Sequence, residues 1–487
     1  MKITTTSEKL ERIHSDALAL FLFEGEKPAG EIEKLDSALS SAISETIRLG
    51  DFKGKLYEVT SIYTHKKIPA SRIFLVGAGK KTEFDARLAR NVAGAAIRRA
   101  LKTGAKKIAI HLGKNLNAEE VVEGVGLAVY DPGIHKTKKE NGNSSIKELI
   151  LVGTANIQTI NHHWLETESI NWVRNLISEP ANIMTPKRLV DEAKSLAKSY
   201  KLGIEIINEE EAIKRGFGAF AGVAKGSEEP SFLVVLKYNA GGKQTLGIVG
   251  KGITFDSGGI SLKTSEKMHE MKMDMAGAAA CLGVMKVIGQ TRPNINVIMA
   301  IPLTENLPGG RALKPGDVLR SLSGKTIEVL NTDAEGRIVL ADALTYIQKL
   351  GASYVVDLAT LTGAVIVALG DQSAAILGNK QSWIDKVKKA SEQAGERVWQ
   401  LPIYPEHKEL LKSEIADVSN IPPTRGAGVI AGAVFLQEFI PSKNAWAHID
   451  IGGTAWLDSE KPFFAKGPTG FGVRTIVKLI ENLEKER

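Results

Sequence analysis

The sequence has little cysteine and no long apolar run. Its one cysteine, Cys281, cannot form an internal disulfide, and its small neighbours in GAAACLGVM predict a core residue rather than a nucleophile. The apolar run ALALFLF at 17–23 lies between Asp16 and Glu24 and is far shorter than the roughly eighteen residues that a membrane helix needs. It predicts a buried strand rather than a signal peptide. We therefore expect a cytoplasmic protein with no membrane partner.

Several motifs of common enzymes are also absent. A Walker loop fails at SGKT (323–326), because Leu319 stands where the first glycine belongs, and a dinucleotide fingerprint fails at Thr82. The serine-hydrolase elbow fails at Phe255, and HEMKM (269–273) ends in methionine where a helical zinc protease has its second histidine. These mismatches argue against phosphate cradles, serine hydrolysis and that zinc motif.

Length and periodicity indicate an α/β protein of two or more domains. The chain has 487 residues, 43% hydrophobic and 24% charged, which is the composition of a globular protein too long for one ordinary core. Apolar runs alternate with helix-like stretches. In the first part they predict strands at 17–23, 72–77, 107–113 and 148–154, and helices at 83–102 and 117–129. A polar stretch at 155–169 then breaks the pattern, so we divide the chain into 1–160 and 161–487.

The second part predicts strands that are covered on both faces. Nearly continuous apolar runs lie at 245–250, 295–302, 326–330, 354–360 and 445–453. Such runs suit the buried strands of a parallel sheet. Because ligands bind just beyond the carboxyl ends of such strands, the polar residues that follow each run are the candidates for a site.

Charged residues are concentrated at these positions. They lie in KGITFDSGGISLK after the run 245–250, in MKMDMAG, and in NTDAEGR (331–337) after the run 326–330. We expect four carboxylates and three cations to converge on one edge of the sheet, namely Lys251, Asp256, Lys263, Asp274, Asp333, Glu335 and Arg337.

Carboxylates at this density predict bound metal. They repel one another unless a cation neutralises them. In an extended segment the i, i+2 spacing places Asp333 and Glu335 on one side, while Gly336 lets the chain turn into the helix IVLADALTYIQKL. One carboxylate can then bridge two ions. Taken alone, the heptapeptide also fits a turn whose acids are stabilised by a helix dipole.

Each cation admits a structural and a functional interpretation. Lys263 is either a surface lysine or a donor that stabilises an oxyanion during carbonyl chemistry. Arg337 is either an ion-pair partner of Asp333 or Glu335, or a forked donor that holds a carboxylate or small oxyanion. Lys251 can act as a metal ligand only when neutral, so that role predicts a depressed pKa.

Five segments resemble, in order and spacing, the cytosol or leucyl aminopeptidase family of two-metal exopeptidases. They are GKGITFDSGGISLK, NTDAEGR, DLATLTGA (357–364), AHIDIGGTAW and KGPTGFGVRT (466–475). The resemblance covers residues 170–475, whereas the first 160 residues match only in general layout. It implies a smaller N-terminal α/β domain, with a role in oligomerisation or regulation, and a larger α/β/α catalytic domain with a central mixed, mostly parallel sheet.

The resemblance also implies an activity and a ligand set. The implied enzyme is a hexameric metallo-exopeptidase that releases single N-terminal residues from peptides, with leucine and other apolar residues preferred. Asp256 and Glu335 would bridge two divalent ions, Mn or Zn. Lys251 and Asp274 would complete the more exchangeable site, and Asp333 would complete the other.

Further roles follow from the same resemblance. Lys263 and Arg337 would form the catalytic pair, with Arg337 holding a bicarbonate that acts as proton shuttle. The sequence departs from the family at Ala276, where glycine is usual, and at Gly452, where alanine is common. The implied pocket for the first side chain of the substrate is lined by Met271, Thr360, Gly363, Gly452 and Ala455.

Two alternatives from other classes stay open. The first is an aminopeptidase that also acts as a DNA-binding regulatory protein through its basic N-terminal domain, which the net charge of +7 suggests, with contacts from Arg98, Arg99, Lys106 and Lys107. No aromatic stacking pattern or nucleic-acid module accompanies these residues, so a solvated face is the favoured interpretation. The second alternative is an inactive structural hexamer, which is disfavoured because every ligand position is filled.

Overall fold

The computed structural model describes residues 1–138, 145–242, 244–423 and 426–486. The chain forms two units. Unit 1 consists of Met1–Asn171 and Asp458–Lys466, and unit 2 consists of Trp172–Leu457 and Gly467–Arg487. Among the described residues, no helix combines the length and the apolar composition that crossing a membrane requires.

Unit 1 is built on a six-stranded sheet with the order β1-β6-β5-β2-β4-β3. Neighbouring strands are parallel except for β3 and β4. The strands are β1 (Lys2–Thr6), β2 (Ala17–Leu22), β3 (Val59–Tyr63), β4 (Arg72–Gly77), β5 (Lys107–His111) and β6 (Glu148–Val152). The helices that begin in this unit are α1 (Glu31–Ala38), α2 (Ala42–Leu49), α3 (Ala86–Lys102), α4 (Ala118–Ala128) and α5 (Ile157–Ser178).

The alternation of side chains along β2 explains why helices cover both faces of this sheet. Ala17 and Ala19 pack in a core with α3 and α4, whereas Leu18 and Leu20 pack in a second core with α1 and α2. Side chains of a strand alternate between faces, so an unbroken apolar run requires two apolar layers. Asp85 marks the start of α3, because its carboxylate accepts a hydrogen bond from the Leu88 N–H at 2.8 Å.

The polar stretch at 155–169 is not a break in the structure. It belongs to α5, which continues to Ser178, so the predicted boundary at 160 lies inside a helix and the units divide after Asn171. This helix buries polar side chains, including Thr167 and Ser169. A helix with a partly polar buried face lacks the apolar periodicity by which sequence patterns reveal helices.

Unit 2 has a mixed sheet with the order β16-β15-β18-β14-β9-β11-β8-β7, and β10 pairs with β11. The strands β18, β14, β9 and β11 are parallel and form its centre. The strands are β7 (Gly203–Asn208), β8 (Phe232–Tyr238), β9 (Thr245–Gly250), β10 (Gly252–Asp256), β11 (Asn296–Asn306), β12 (Val318–Arg320), β13 (Thr326–Glu328), β14 (Tyr354–Ala359), β15 (Ala374–Gly378), β16 (Val398–Gln400), β17 (Val418–Ser419), β18 (Ala445–Asp450), β19 (Trp456–Leu457) and β20 (Gly467–Pro468).

Helices cover both faces of the central sheet of unit 2, as the α/β/α prediction requires. One layer contains α6, α9, α12 and α14, and the other contains α8, α10 and α13. The helices of the unit are α6 (Pro186–Tyr200), α7 (Glu209–Lys214), α8 (Gly218–Ala224), α9 (Ala276–Thr291), α10 (Glu335–Lys349), α11 (Ala364–Leu369), α12 (Gln381–Ala394), α13 (Gly428–Gln437) and α14 (Val473–Lys485). Cys281 lies in α9 with no exposed surface, so the prediction of a core cysteine is confirmed.

One predicted strand has a different place. Of the run 326–330, only Thr326–Glu328 is a strand, and it pairs with β12 and β17 in a separate three-stranded sheet. The prediction of a strand covered on both faces is wrong there. The run is short and its strand is only partly buried, with Ile327 alone fully covered. A short apolar run cannot by itself distinguish a central strand from a peripheral one.

Candidate active site

The candidate site lies where β9 and β10 end and α9 and α10 begin. Lys251 follows β9 directly, and Asp256 is the last residue of β10. Asp274 lies two positions before α9, and Glu335 is the first residue of α10. Carboxyl ends of parallel strands and amino ends of helices thus meet at one edge of the sheet, where α/β proteins bind ligands.

The structure brings the four predicted carboxylates together. Oxygen atoms of Asp256, Asp333 and Glu335 all lie within 4.8 Å of one another. Asp274 joins them through Lys251, whose Nζ lies 2.7 Å from Asp274 Oδ2 and 2.9 Å from Glu335 Oε1. The acids are therefore neither scattered along the sheet nor exposed on separate surfaces.

A second lysine bridges the other side of the cluster. Lys263 Nζ lies 2.8 Å from Asp256 Oδ2 and also contacts Asp333. Its side chain remains 23% exposed, whereas that of Lys251 is buried. Lys263 is thus the lysine that a molecule entering from solvent can contact.

Burial and mutual repulsion perturb the acids. Burial and the neighbouring charge of Asp256 raise the pKa of Glu335 to about 8. Burial raises the pKa of Asp274 to about 6 although Lys251 opposes the shift. Burial, followed by the charge of Asp256, also raises the pKa of Asp333. Raised pKa values show that the lysines do not fully stabilise the ionised carboxylates.

The pKa of Lys251 is not depressed, contrary to the expectation for a metal ligand. Burial lowers its pKa, but the charges of Asp274, Glu335 and Asp256 outweigh burial and raise it above the ordinary lysine value. A neutral Lys251 ligand therefore requires the charge of a bound cation to oppose the carboxylates. Binding of a cation through this nitrogen must release a proton.

The donor set fits hard divalent cations. In the described part of the chain, Asp274 Oδ2, Asp333 Oδ1 and Glu335 Oε1 are buried and accept no hydrogen bond from a neutral group, and each is contacted by a lysine ammonium. Carboxylate oxygens with free lone pairs, brought within a few ångströms, are the ligands of Mg²⁺, Mn²⁺ and Zn²⁺. The residues therefore fit a metal centre.

Asn306 orients the carboxylates, and the sequence analysis missed it. Its Nδ2 donates to Asp256 Oδ1 at 2.9 Å and lies 3.3 Å from Glu335 Oε2. It also donates to the Thr332 carbonyl at 3.0 Å. Asn306 ends β11, and the predicted run stopped at 302, four positions earlier. Asn306 thus lies at the carboxyl end of a strand, where side chains that form a site are expected.

Gly336 has a different role from the predicted one. It lies in the first turn of α10, and a Cβ atom built on it meets Lys251 Cε at 2.5 Å and Nζ at 2.7 Å. Asp333 precedes this helix in a turn rather than in an extended segment. The glycine is therefore required for the close approach of the Lys251 stem to the helix that carries Glu335.

Arg337 is not the ion-pair partner of its neighbouring acids. Among the ion pairs of the described residues, none joins Arg337 to Asp333 or Glu335. Its Nη1 donates to the Asn420 carbonyl at 2.8 Å, and its buried Nε has no partner there. Burial lowers its pKa to about 10, against the charges of Glu335 and Asp450. The guanidinium keeps donor capacity for an anion.

The residues of the implied side-chain pocket lie in segments that connect the strands and helices, and Thr360 contacts the cluster. Thr360 follows β14, and its Oγ1 donates to Asp274 Oδ1 at 2.7 Å. Gly363 immediately precedes α11, and Met271 lies in a short 3-10 helix before Asp274. Ala455, between β18 and β19, is buried.

One family departure has a structural reason. A Cβ atom at Gly452 meets the Thr362 carbonyl oxygen at 2.8 Å and Val365 Cγ1 at 3.0 Å. Glycine is therefore the residue that lets Thr362 approach this segment. The other departure, Ala276, is buried at the start of α9, and nothing else in its surroundings explains it.

The basic residues of unit 1 are partly paired. Arg98 Nη2 lies 2.7 Å from Glu460 Oε1, and Lys107 Nζ lies 3.3 Å from Glu148 Oε2. Arg99 Nε donates to Ser61 Oγ at 3.1 Å. Such pairing lowers the charge available to phosphates. Comparison with known proteins gives no support to the DNA-binding alternative either.

Comparison with known proteins agrees with the geometry. Residues 171–477 match the Cytosol aminopeptidase family, catalytic domain, and residues 19–139 match the N-terminal domain of the same family. A probable cytosol aminopeptidase of Alkaliphilus oremlandii is 42% identical, with 100% of both chains covered. A probable cytosol aminopeptidase of Solibacter usitatus is also 42% identical, over 98% of this chain and 99% of the relative.

Solved structures give the same answer. A mutant of tomato leucine aminopeptidase superposes with a TM-score of 0.89 at 32% identity, covering 99% of this chain and 96% of that one. The bottromycin maturation enzyme BotP in complex with Mn superposes with a TM-score of 0.85 at 31% identity, covering 96% and 100%. With its cluster of metal-fitting carboxylates, the chain belongs to the cytosol aminopeptidase family and is a metal-dependent enzyme that removes amino acids from the N-termini of peptides.

Proposed function

We propose that the carboxylate cluster is the active centre of this aminopeptidase. The observation that carries the proposal is the approach of Asp256, Asp333 and Glu335 oxygens to within 4.8 Å of one another, beside two lysines. Repulsion among buried carboxylates costs stability, so a protein that keeps such a cluster gains from a bound cation. Five residues would hold two divalent ions, namely Lys251, Asp256, Asp274, Asp333 and Glu335.

The proposed division of the ligands follows the family resemblance. Asp256 and Glu335 would be shared by the two ions, Lys251 and Asp274 would complete the more exchangeable site, and Asp333 would complete the other. The central positions of Asp256 and Glu335, which share the Asn306 amide, support the bridging assignment. Manganese is one candidate because BotP, a structural relative, is in complex with Mn. Zinc is the other, since oxygen ligands with one amine accept both metals.

Lys263 and Arg337 act on the substrate. When bound, the divalent ions lower the pKa of water and polarise the scissile carbonyl. Lys263 is partly exposed and donates a hydrogen bond to the oxygen on which negative charge develops. Arg337 would hold a small oxyanion, such as bicarbonate, through its free donor. This anion would take the proton that the attacking water loses and pass it to the leaving amine as the C–N bond breaks.

Specificity for leucine and other apolar residues is part of the proposal. The pocket is formed by Met271, Thr360, Gly363, Gly452 and Ala455, which are small or apolar apart from Thr360. A Cβ built at Gly363 meets nothing within 4 Å, so the loop there leaves room for a substrate side chain. Apolar pockets discriminate by the area that the substrate buries.

Assembly and location are the least direct parts of the proposal. We infer a homohexamer in the cytoplasm, from the family resemblance and from relatives named cytosol aminopeptidases. The N-terminal domain, predicted at 1–160, serves oligomerisation or regulation. Size-exclusion chromatography with light scattering tests the hexamer, and a monomer at micromolar concentration contradicts it.

Hydrolysis of aminoacyl p-nitroanilides tests the function. The panel contains Leu, Ala, Lys and Glu substrates and N-acetylated controls. The metal-stripped protein should be inactive, and adding back Mn²⁺ or Zn²⁺ should restore cleavage, fastest for Leu. Cleavage of the N-acetylated substrates contradicts an aminopeptidase, and cleavage that is unaffected by metal removal contradicts the proposed centre.

A further inference from the structure

A ladder of buried polar side chains lies under α10 and α13 in unit 2. Asp357 on β14 accepts hydrogen bonds from Trp446 Nε1 at 2.6 Å and lies 2.5 Å from His448 Nδ1. Along β18 the same face continues from Trp446 through His448 to Asp450. Asp357, His448 and Asp450 have no exposed surface.

Such a ladder is costly in an apolar core. Its neighbours on this face include Val355, Ala359 and Trp446. Buried charged groups weaken a fold unless every one is well paired, and apolar residues of similar size are often at least as stable. Stability alone therefore does not account for these buried polar residues. The hydrogen bonds of Asp450, at the end of β18, indicate a second role.

Asp450 binds two separate loops at once. Its Oδ1 accepts from the Leu361 N–H and from the Gly452 N–H, both at 3.1 Å. Its Oδ2 accepts from Thr362 Oγ1 at 2.7 Å. The Thr362 hydroxyl oxygen in turn accepts from the Val365 N–H at 3.2 Å, at the start of α11. One carboxylate thus fixes the loop 360–363 against Gly452.

This loop reaches directly into the metal-fitting cluster. The Thr360 carbonyl accepts from Lys251 Nζ at 3.1 Å, and Thr360 Oγ1 donates to Asp274 Oδ1 at 2.7 Å. Thr360 and Gly363 are also residues of the proposed side-chain pocket. A displacement of the loop would therefore move one wall of the pocket. Among the hydrogen bonds of the described residues, Asp450 is the only carboxylate that accepts from both the 360–363 loop and Gly452.

We propose that Asp450 is a positioning residue that sets the specificity of the enzyme by holding the 360–363 loop and Gly452 as one wall of the side-chain pocket. The inference rests on the proposed function. It predicts that loosening this wall impairs binding of a substrate with a large apolar first side chain more than binding of one with a small side chain. Leucine fills the pocket and depends on the wall, whereas alanine hardly touches it.

A second carboxylate provides a matched control within the same unit. Glu396 is buried and accepts from the Gly472 and Thr475 N–H groups at 3.1 and 3.0 Å and from Thr475 Oγ1 at 2.6 Å. This arrangement repeats that of Asp450 with Leu361, Gly452 and Thr362. Thr475→Val therefore removes a comparable hydrogen bond from a carboxylate that contacts no proposed pocket residue.

The test measures kcat and KM separately for Leu- and Ala-p-nitroanilide with the Mn²⁺-loaded full chain. Thr362→Val should raise the KM for the Leu substrate about tenfold and the KM for the Ala substrate less than about threefold. Asp450→Ala should give the same pattern more strongly. Asp450→Asn should restore most of the Leu preference, because its amide oxygen still accepts from both N–H groups and the Thr362 hydroxyl can turn to accept. Thr475→Val should leave the KM ratio unchanged.

The outcomes separate this inference from the function on which it rests. An inactive wild type overturns the proposed function. An active wild type with an unchanged Leu/Ala KM ratio in Thr362→Val overturns the positioning role, even if Asp450→Ala does not fold. Equal loss in Asp450→Asn and Asp450→Ala also overturns it, because the charge rather than the hydrogen bonds would then be the cause. A drop in kcat that is the same for both substrates marks a structural defect and likewise contradicts the inference.

Discussion

Each unit of the protein buries a cluster of acids, and the two clusters differ in how far cationic side chains neutralise the negative charge. In unit 1, Arg90 Nε lies 2.6 Å from Glu123 Oε2, and His163 Nδ1 lies 2.7 Å from Glu123 Oε1. Glu166 completes the group, 4.0 Å from His163. Although burial lowers the pKa of His163, the hydrogen bond to Glu123 and the charges of Glu123 and Glu166 together outweigh burial, so the pKa is raised. Two acids thus face an arginine and a histidine that favours its charged form.

Ligand geometry alone does not distinguish the clusters. Glu123, His163 and Glu166 place ligand atoms within 4.8 Å of one another, as Asp256, Asp333 and Glu335 do. What differs is the balance of charge, because the permanent guanidinium of Arg90 already occupies the first cluster. In unit 2 the acids outnumber the lysines, and Asp274, Asp333 and Glu335 have raised pKa values. A metal centre is better identified by carboxylates whose negative charge exceeds that of their built-in cationic partners than by their spacing.

The difference between the two acid clusters is tested most strongly by substitution of Glu335. Replacing it with alanine should lower kcat/KM for Leu-p-nitroanilide by about 10³-fold or more, because a bridging ligand is lost. Metal content, measured by atomic emission on the desalted protein, should fall in parallel. Residual activity above a tenth of the wild-type value, with full metal content, contradicts the ligand assignment.

Lys263 should show a smaller and more selective effect. Lys263→Ala removes the donor to the developing oxyanion, so kcat should fall about 10²-fold while metal content stays near that of the wild type. A matched control is Lys34→Ala, an exposed lysine on α1 of unit 1 that should change neither quantity. Loss of metal in step with activity contradicts the role of Lys263 as a donor to substrate.

The cluster of unit 1 should affect stability and leave catalysis unchanged. Glu123→Gln leaves the Arg90 guanidinium buried without its charged partner, which should lower the free energy of unfolding by about 3 kcal/mol. Urea denaturation followed by fluorescence measures the loss. kcat/KM at 25 °C should stay within about twofold of wild type. A fall in activity together with metal loss would mean that the unit 1 cluster is also a functional metal site.

The pH dependence of stability should reveal the acids of unit 2, which the lysines neutralise only in part. In metal-stripped protein, Glu335 and Asp274 bind protons up to pH values near their raised pKa values of about 8 and about 6, whereas in the unfolded chain they release them near pH 4. The folded state thus binds more protons between these limits. The stability that this contributes is full below about pH 4 and is lost as the pH rises through 6 and 8.

The test compares the change in thermal midpoint with pH between the wild type and the Glu335→Gln variant. Between pH 5 and pH 8 the thermal midpoint of stripped wild type should fall by about 2–4 °C more than that of stripped Glu335→Gln, which has no carboxylate at position 335 to deprotonate. Saturating Mn²⁺ should abolish the excess, because bound cations favour the ionised acids. Identical slopes for the two proteins contradict the raised pKa of Glu335.

The sequence predicted the parts of this protein that depend on apolar runs and on strand ends. The run 245–250 is β9 without change, and the run 354–360 is β14 apart from its last residue. The rule that ligands lie beyond such strands correctly predicts that Lys251 and Asp256 lie close to acids from distant segments.

The parts that failed depend on contacts that no local pattern contains. Helix α5 buries polar side chains, so its sequence lacks the apolar periodicity that predicts a helix. Strand β8, in the run FLVVLKY, was not predicted, because an antiparallel edge region follows no alternation of strand and helix. The pKa of Lys251 and the role of Asn306 depend on which groups meet across the sheet, and sequence spacing does not contain that information.

The missing side chain at Gly336 has a consequence for redesign of the site. Because only the hydrogen atom of Gly336 separates the Lys251 stem from the first turn of α10, any side chain at this position would push Lys251 away from the helix that carries Glu335. A single substitution of Gly336 should therefore widen the spacing between two of the cation ligands, so libraries that redesign this centre should include position 336.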